Sequence, residues 1–390
     1  MTAPVNRRQW LISTGLAAGS SALLPSLLPA LTLTGARHGS YHDALLDMEH
    51  QATARRRAAG PVRLSANENP FGMSPKAKEA ISAGWAEHSL YGVPSADALR
   101  KAFATHAGVD PSNVLITQGS SETLAVTALA YNLQGGEVVT PWPTFEGLPG
   151  YAEKIGATVH KVPLTAGMGH DFEALAARTT NAVSLVFVCN PNNPSSTVEE
   201  SATIRRFVSA TQHRTPVLVD EAYHDFVDDP THTSLVDLVL KGENVIISRT
   251  ASKLHGIAGL RIGFAIARPD IVQRLQRFMT GNPNAFGMQA AIASLADTQY
   301  QEFVKAKNRE GRGLLTTALR SMGRTVAPSH TNFVFFDAGI PVERVQAAMR
   351  AKGFLVGRRF PPYDTWCRVS IGTPEEMRNV VTALPETLRA

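Results

Sequence analysis

The chain is poor in cysteine and in charge. Cys189 and Cys367 are its only cysteines, too few for a disulfide framework, and because they fall in segments expected to fold apart, free buried thiols are expected. No run of like charge is long enough to serve as a nucleic-acid-binding tail. The densest basic cluster, Arg55-Arg56-Arg57, reads as a solvated helix face, so no nucleic-acid partner is expected. Charged residues make up 18% and apolar residues 44% of the sequence, which excludes a disordered or fibrous chain and describes a globular enzyme. Beyond the N-terminal segment there is no internal repeat and no low-complexity stretch.

One segment lacks charge altogether. Residues 11–33 carry none, yet Gly15, Gly19, Pro25 and Pro29 interrupt them, and such breaks suit an export signal better than a transmembrane helix. Arg7-Arg8 stands directly before Gln9-Trp10-Leu11-Ile12, an arrangement similar to the bacterial twin-arginine signal, and Thr34-Gly35-Ala36 offers a small-x-small cleavage site. Residues 1–36 are therefore expected to be a signal peptide read by the export machinery, sending the mature chain to the periplasm or out of the cell. Retention of the uncleaved signal as a membrane anchor is the alternative. No cysteine lies near the cleavage region, which argues against a lipid anchor. About 350 residues remain, enough for one large and one small domain.

What is present is an alternation of strand and helix patterns. Residues 114–117, 137–140, 184–189, 217–220, 245–248 and 264–267 are short apolar runs rich in β-branched side chains, and stretches such as 121–133 and 200–211 are amphipathic and of helix length. Buried strands separated by helices predict a mostly parallel sheet covered on both faces, with ligands gathered beyond the carboxyl ends of the strands. From about residue 290 a long helix precedes strands at 332–336 and 368–371, the pattern of a second, α+β domain. The expected organisation is an N-terminal arm over 37–72 joining the small domain, a large domain over 73–284 and a small domain over 285–390.

The strand ends carry the chemistry. Lys253 lies in Thr250-Ala251-Ser252-Lys253, with Arg261 eight residues on; a lysine crowded by hydroxyls between two strands is a candidate for a Schiff base with an aldehyde. Asp220 ends a buried strand, where a carboxylate is costly without a cationic partner. Alone it fits a helix cap or a magnesium ligand as well. Beside Lys253 it fits the protonated ring nitrogen of pyridoxal 5'-phosphate, and Tyr223 is then placed to donate to the ring's phenolic oxygen. Asn193, in the turn Asn190-Pro191-Asn192-Asn193-Pro194, is a candidate for a second bond to that oxygen. Gly119-Ser120-Ser121 follows a strand and opens a helix, an anion site that Arg261, Thr250 and Ser252 would complete around a phosphate. Phe145, preferred to Trp142, is the candidate for stacking on the pyridine ring. No metal site is expected.

Taken in order, Gly119-Ser120-Ser121, Pro143-Thr144-Phe145, Asn193-Pro194, Asp220-x-x-Tyr223, Ser252-Lys253 and Arg261 resemble the fold-type I, class I/II pyridoxal-phosphate aminotransferases. Within them the likeness is greatest to the histidinol-phosphate aminotransferase group, whose N-terminal signature Asn67-Glu68-Asn69-Pro70-Phe71-Gly72 resembles. The resemblance implies a homodimer with shared active sites, in which Tyr91 reaches the phosphate in the partner. It implies that Arg368 grips the substrate carboxylate or an equivalent group, and that Arg358 and Asn69 belong to the substrate site. It also implies ping-pong transfer of an amino group from an amino acid or amine to a 2-oxo acid. The chain departs from the family in Asn193-Pro194-Ser195-Ser196, where Asn-Pro-Thr-Gly is usual, in Phe145, where tyrosine is common, and in Arg358-Arg359, where the distal arginine is shifted or doubled. A decarboxylase or cyclase on the same cofactor, a cofactor-independent Schiff-base lyase, and a non-catalytic exported binding protein are the other readings.

Overall fold

A computed structural model describes residues 40–87 and 89–389. The chain divides into Met1–Tyr41 and His42–Ala390, and the architecture below is that of the second unit; the expected export signal lies outside the described residues. No helix among the described residues is long and apolar enough to cross a membrane.

In chain order the strands are β1 Val62–Arg63, β2 Val114–Thr117, β3 Glu137–Trp142, β4 Thr158–Pro163, β5 Val183–Cys189, β6 Val217–Asp220, β7 Val245–Thr250, β8 Gly263–Ile266, β9 Phe333–Asp337, β10 Phe354–Leu355 and β11 Trp366–Ser370. Seven of them form one sheet in the order β2-β8-β7-β6-β5-β3-β4. Only β8 runs against its neighbours; the rest pair in parallel. The mostly parallel sheet is as the sequence implies, with β4 as a strand beyond the six apolar runs.

Alternation within each strand explains the layers. Val186, Val188, Val217, Val219, Val245 and Ile247 enter one core, while Leu185, Phe187, Cys189, Leu218 and Ile246 enter another. Successive side chains point to opposite faces, so a strand apolar on both must be covered on both. β4 shows the converse. It is an edge strand, mostly exposed or half-exposed, and with Thr158, His160 and Lys161 in it the sequence shows no apolar run there.

A further core gathers Val62, Leu64, Val334, Phe336, Met349 and Val369, where β1 pairs with β10 and β9 with β11. The helix Ala285–Leu295, within the span expected for the small domain, packs Met288, Ala290 and Ala291 into the core of the large sheet. Cys189 and Cys367 are both free and buried.

Since β8 alone is reversed, the carboxyl ends of β2, β3, β5, β6 and β7 share one edge of the sheet. There the chain must leave extended geometry, and the strand ends and following loops bring Ser120, Phe145, Asp220 and Lys253 together.

Candidate active site

A cavity of about 180 Å³ at that edge is lined by Ala66, Glu68, Ser120, Ser121, Phe145, Asp220, Ala222, Tyr223, Thr250, Ser252, Lys253, Ala258 and Arg261. Most of the residues expected to hold a cofactor therefore meet in one place. A wider cleft of about 560 Å³ along Val62, Phe354 and Glu376 holds none of them.

The phosphate end is built by close approach. Gly119, at φ 78°, caps the helix Ser120–Asn132, whose first N–H groups have no intrahelical acceptor. A Cβ on Gly119 would lie 2.1 Å from Arg261 Nη2, and one on Gly263 would lie 2.3 Å from Ser120 N. Glycine at both positions lets Arg261 and the start of β8 reach the helix end. Arg261 itself takes φ 57°, and its Nη1 donates to Ala258 O at 2.8 Å. Thr250 Oγ1 accepts from Ser252 N at 3.1 Å, which fixes the strand-to-loop turn before Lys253.

The opposite end holds the acid. Asp220 is 2% exposed, and its Oδ1 is buried without a hydrogen-bond partner. Burial raises its pKa to about 6, against the opposing pull of Lys253 among others. An unpartnered buried carboxylate oxygen calls for a cation or N–H donor, and the protonated ring nitrogen of pyridoxal phosphate is such a donor. Between the two ends, Lys253 Nζ lies 3.4 Å from Ala66 O and 5.5 Å from the centre of the Tyr223 ring. Desolvation, helped by Arg368, lowers its pKa to about 8, while Glu68 and Asp220 resist. Tyr223 Oη accepts from Asn67 Nδ2 at 3.0 Å, leaving its own O–H to donate. Burial holds its pKa above the usual phenol range. Donor set, acid and anion cradle together fit pyridoxal phosphate.

Arg368 stands beside this cavity. Its Nη1 donates to Asn193 Oδ1 at 2.5 Å and its Nη2 to Ser65 O at 2.6 Å; its Nε is buried without a partner. Desolvation lowers its pKa to about 10. The substitutions in the Asn193 turn are absorbed locally. Ser196 takes φ 62° where the family has glycine, a strained setting for a side chain. Asn192 Nδ2 bonds Ser195 Oγ and Pro143 O at 2.9 and 3.1 Å, tying this turn to the one before Phe145.

Asn193 and Arg368 do not line the cavity but are bonded to each other, and three further expected residues are also absent from its lining. Asn69 does not line the cavity: its Nδ2 donates to Leu254 O and Tyr300 Oη, and its Oδ1 accepts from Phe71 N. It anchors the loop after Lys253. Arg358 is half-exposed and paired with Glu146 at 2.6 Å. Tyr91 is 95% exposed and borders a surface cleft with Asn284 and Phe286. Conversely, sequence reasoning gave no role to Asn67 or Glu68. Their only signal was the motif around them; their contacts to Tyr223 and toward Lys253 arise across the fold.

Comparison with known proteins agrees with this geometry. The model of the family "Aminotransferase class I and II" matches residues 59–384. A histidinol-phosphate aminotransferase of Symbiobacterium thermophilum is 36% identical over 334 residues, 84% of this chain and 90% of that protein. One of Brevibacillus brevis is 34% identical over 330 residues, covering 83% and 90%. The crystal structure of histidinol-phosphate aminotransferase from Sinorhizobium meliloti in complex with pyridoxal-5'-phosphate superposes with a TM-score of 0.79 at 27% identity, covering 92% and 99% of the two chains.

Proposed function

The chain belongs to the aminotransferase class I and II family and is a pyridoxal-phosphate-dependent enzyme; on that premise we propose that it takes the amino group from a donor whose carboxylate Arg368 holds, and passes it to a 2-oxo acid outside the cytosol. The observation that carries this reading is that Lys253 and the unpartnered Asp220 Oδ1 share one cavity with Arg261 and three serines.

Bound pyridoxal phosphate supplies an aldehyde that exchanges amines and a protonated ring that takes up the electron pair left at the donor's Cα. The chain's own residues do the rest. Ser120, Ser121, Thr250, Ser252 and Arg261 hold the phosphate. Asp220 keeps the ring nitrogen charged, and Tyr223 and Asn193 flank the phenolic oxygen. Lys253, with a pKa lowered to about 8, releases its proton more readily than an ordinary lysine and serves as acid and base at the donor's Cα. Arg368, fixed by Asn193 and Ser65, orients the carboxylate. Purified wild type should show the cofactor's visible absorbance and transfer amino groups to 2-oxo acids. The Lys253→Ala variant should lose both; retention of both sinks the reading.

Arg7-Arg8 before the uncharged run 11–33 supports twin-arginine export, a route for folded, cofactor-loaded proteins. Replacing both arginines by lysine should leave the enzyme in the cytosolic fraction. The exposure of Trp85, Leu90 and Tyr91 on one segment supports a homodimer in which Tyr91 serves the partner's site. Sedimentation at twice the chain mass, and weaker cofactor retention in Tyr91→Ala, are the expected results.

A further inference from the structure

The cations around the active site fall into two groups. Among the described residues, none of the ion pairs involves Lys253, Arg261 or Arg368. The first two face the cofactor, and Arg368, with its orphaned Nε, awaits a carboxylate. The two outer arginines are already neutralised. Arg358 Nη2 donates to Glu146 Oε2 at 2.6 Å, and Arg63 binds both carboxylate oxygens of Glu68, through Nε at 2.7 Å and through Nη2.

Both pairs border the substrate's space. Glu68 lines the cavity, and Glu146 follows Phe145, which also lines it. Gly357 N donates to Arg368 O at 2.8 Å, which sets Arg358 one residue from Arg368's strand. The Phe360 ring lies 4.3 Å from the Arg358 guanidinium carbon and 4.9 Å from that of Arg368, an aromatic surface between the two cations.

From this we infer that the amino donor carries one carboxylate and an uncharged, aromatic or aliphatic side chain, because Glu146 and Glu68 hold the arginines that a second anionic group would need. The inference rests on the aminotransferase reading and narrows its substrate. A dicarboxylic or phosphorylated donor must displace Glu146 from Arg358 and leave that carboxylate beside its own negative charge, which is unfavourable. An uncharged side chain disturbs neither pair and gains contact with the Phe360 side of the site.

The test is the first half-reaction, with the holoenzyme and donor alone, followed by the cofactor's absorbance so that no acceptor is involved. Wild type should react with L-phenylalanine and L-leucine at a higher limiting rate over half-saturation concentration than with L-aspartate, O-phospho-L-serine or histidinol phosphate. Glu146→Gln should shift the ratio of anionic to uncharged donors toward the anionic by about fivefold, the scale of a half-exposed ion pair. That shift should shrink by at least half in an Arg358→Gln background, where only the repulsion by Glu146 itself is left to relieve, a dependence that a merely structural role for Glu146 would not produce. Preference of wild type for the anionic donors, an unchanged ratio in Glu146→Gln, or an equal shift without Arg358 would overturn the inference and leave the aminotransferase reading intact. Reaction with none of the donors would overturn both.

Discussion

The inner site and its rim treat charge in opposite ways. Inside, Asp220 and Arg368 are buried and Lys253 is half-buried, and desolvation moves the pKa values of Lys253, Asp220 and Arg368 to about 8, about 6 and about 10. Asp220 Oδ1 and Arg368 Nε have no partner. At the rim, Arg358 and Glu146 are each about half exposed and bonded to one another, and exposed Arg63 is bonded to the less exposed Glu68. Buried, unpaired groups are poised to meet a ligand, at a cost to the fold. Exposed pairs cost little, are worth roughly 0.2–1 kcal/mol each, and act by deciding which side chains enter easily.

Substitutions can break this contrast, beginning with the lysine of the inner site. Lys253→Ala should lower amino transfer by at least about a thousandfold, since it removes both the amine and the proton carrier; steady-state assays with an uncharged donor read this directly. Lys253→Met should stabilise the apoprotein. A pKa lowered from 10.5 to about 8 means that the unfolded chain holds a proton that the folded chain has released between those values. Apoprotein stability therefore rises across about pH 8 to 10.5 and is depressed below it by about 3 kcal/mol. Denaturant titration of the apoprotein should show that rise in wild type and its loss in the methionine variant, which gains most near neutral pH.

Arg368→Gln comes next. Loss of a buried, hydrogen-bonded charge should reduce reaction with carboxylate-bearing donors by about a hundredfold, mainly through weaker donor binding. Weakest of all, Arg63→Gln should change reaction with an uncharged donor by less than about fivefold, because solvent replaces the lost partner of Glu68. A hundredfold loss there would mean that the rim belongs to the inner site.

The two regions also differed in how well the sequence revealed them. Lys253, Ser252, Thr250 and Arg261 lie within twelve positions, and Asp220 and Tyr223 within one turn, on loops whose place is set once the strands are recognised. The apolar runs gave those strands, except β4, whose edge position leaves its side chains polar. The rim pairs join residues far apart in sequence: Glu146 and Arg358 are separated by 212 positions. No local pattern foretells that Arg358, a plausible distal anchor by motif, is already engaged. Asn69 illustrates the same limit. Its motif suggested substrate, and its bonds to Leu254 and Tyr300 make it a brace for the lysine loop.

By itself, the sequence determined most of the sheet, the cofactor chemistry and the lysine proposed to serve it, because strand periodicity and strand-end motifs are short-range and the sheet's topology gathers those ends on one edge. Tertiary structure alone decided which charges remain unpaired. Pairing and desolvation depend on what packs within a few ångströms, and for Arg358, Glu68, Asn67 and Arg368 those neighbours come from distant parts of the chain.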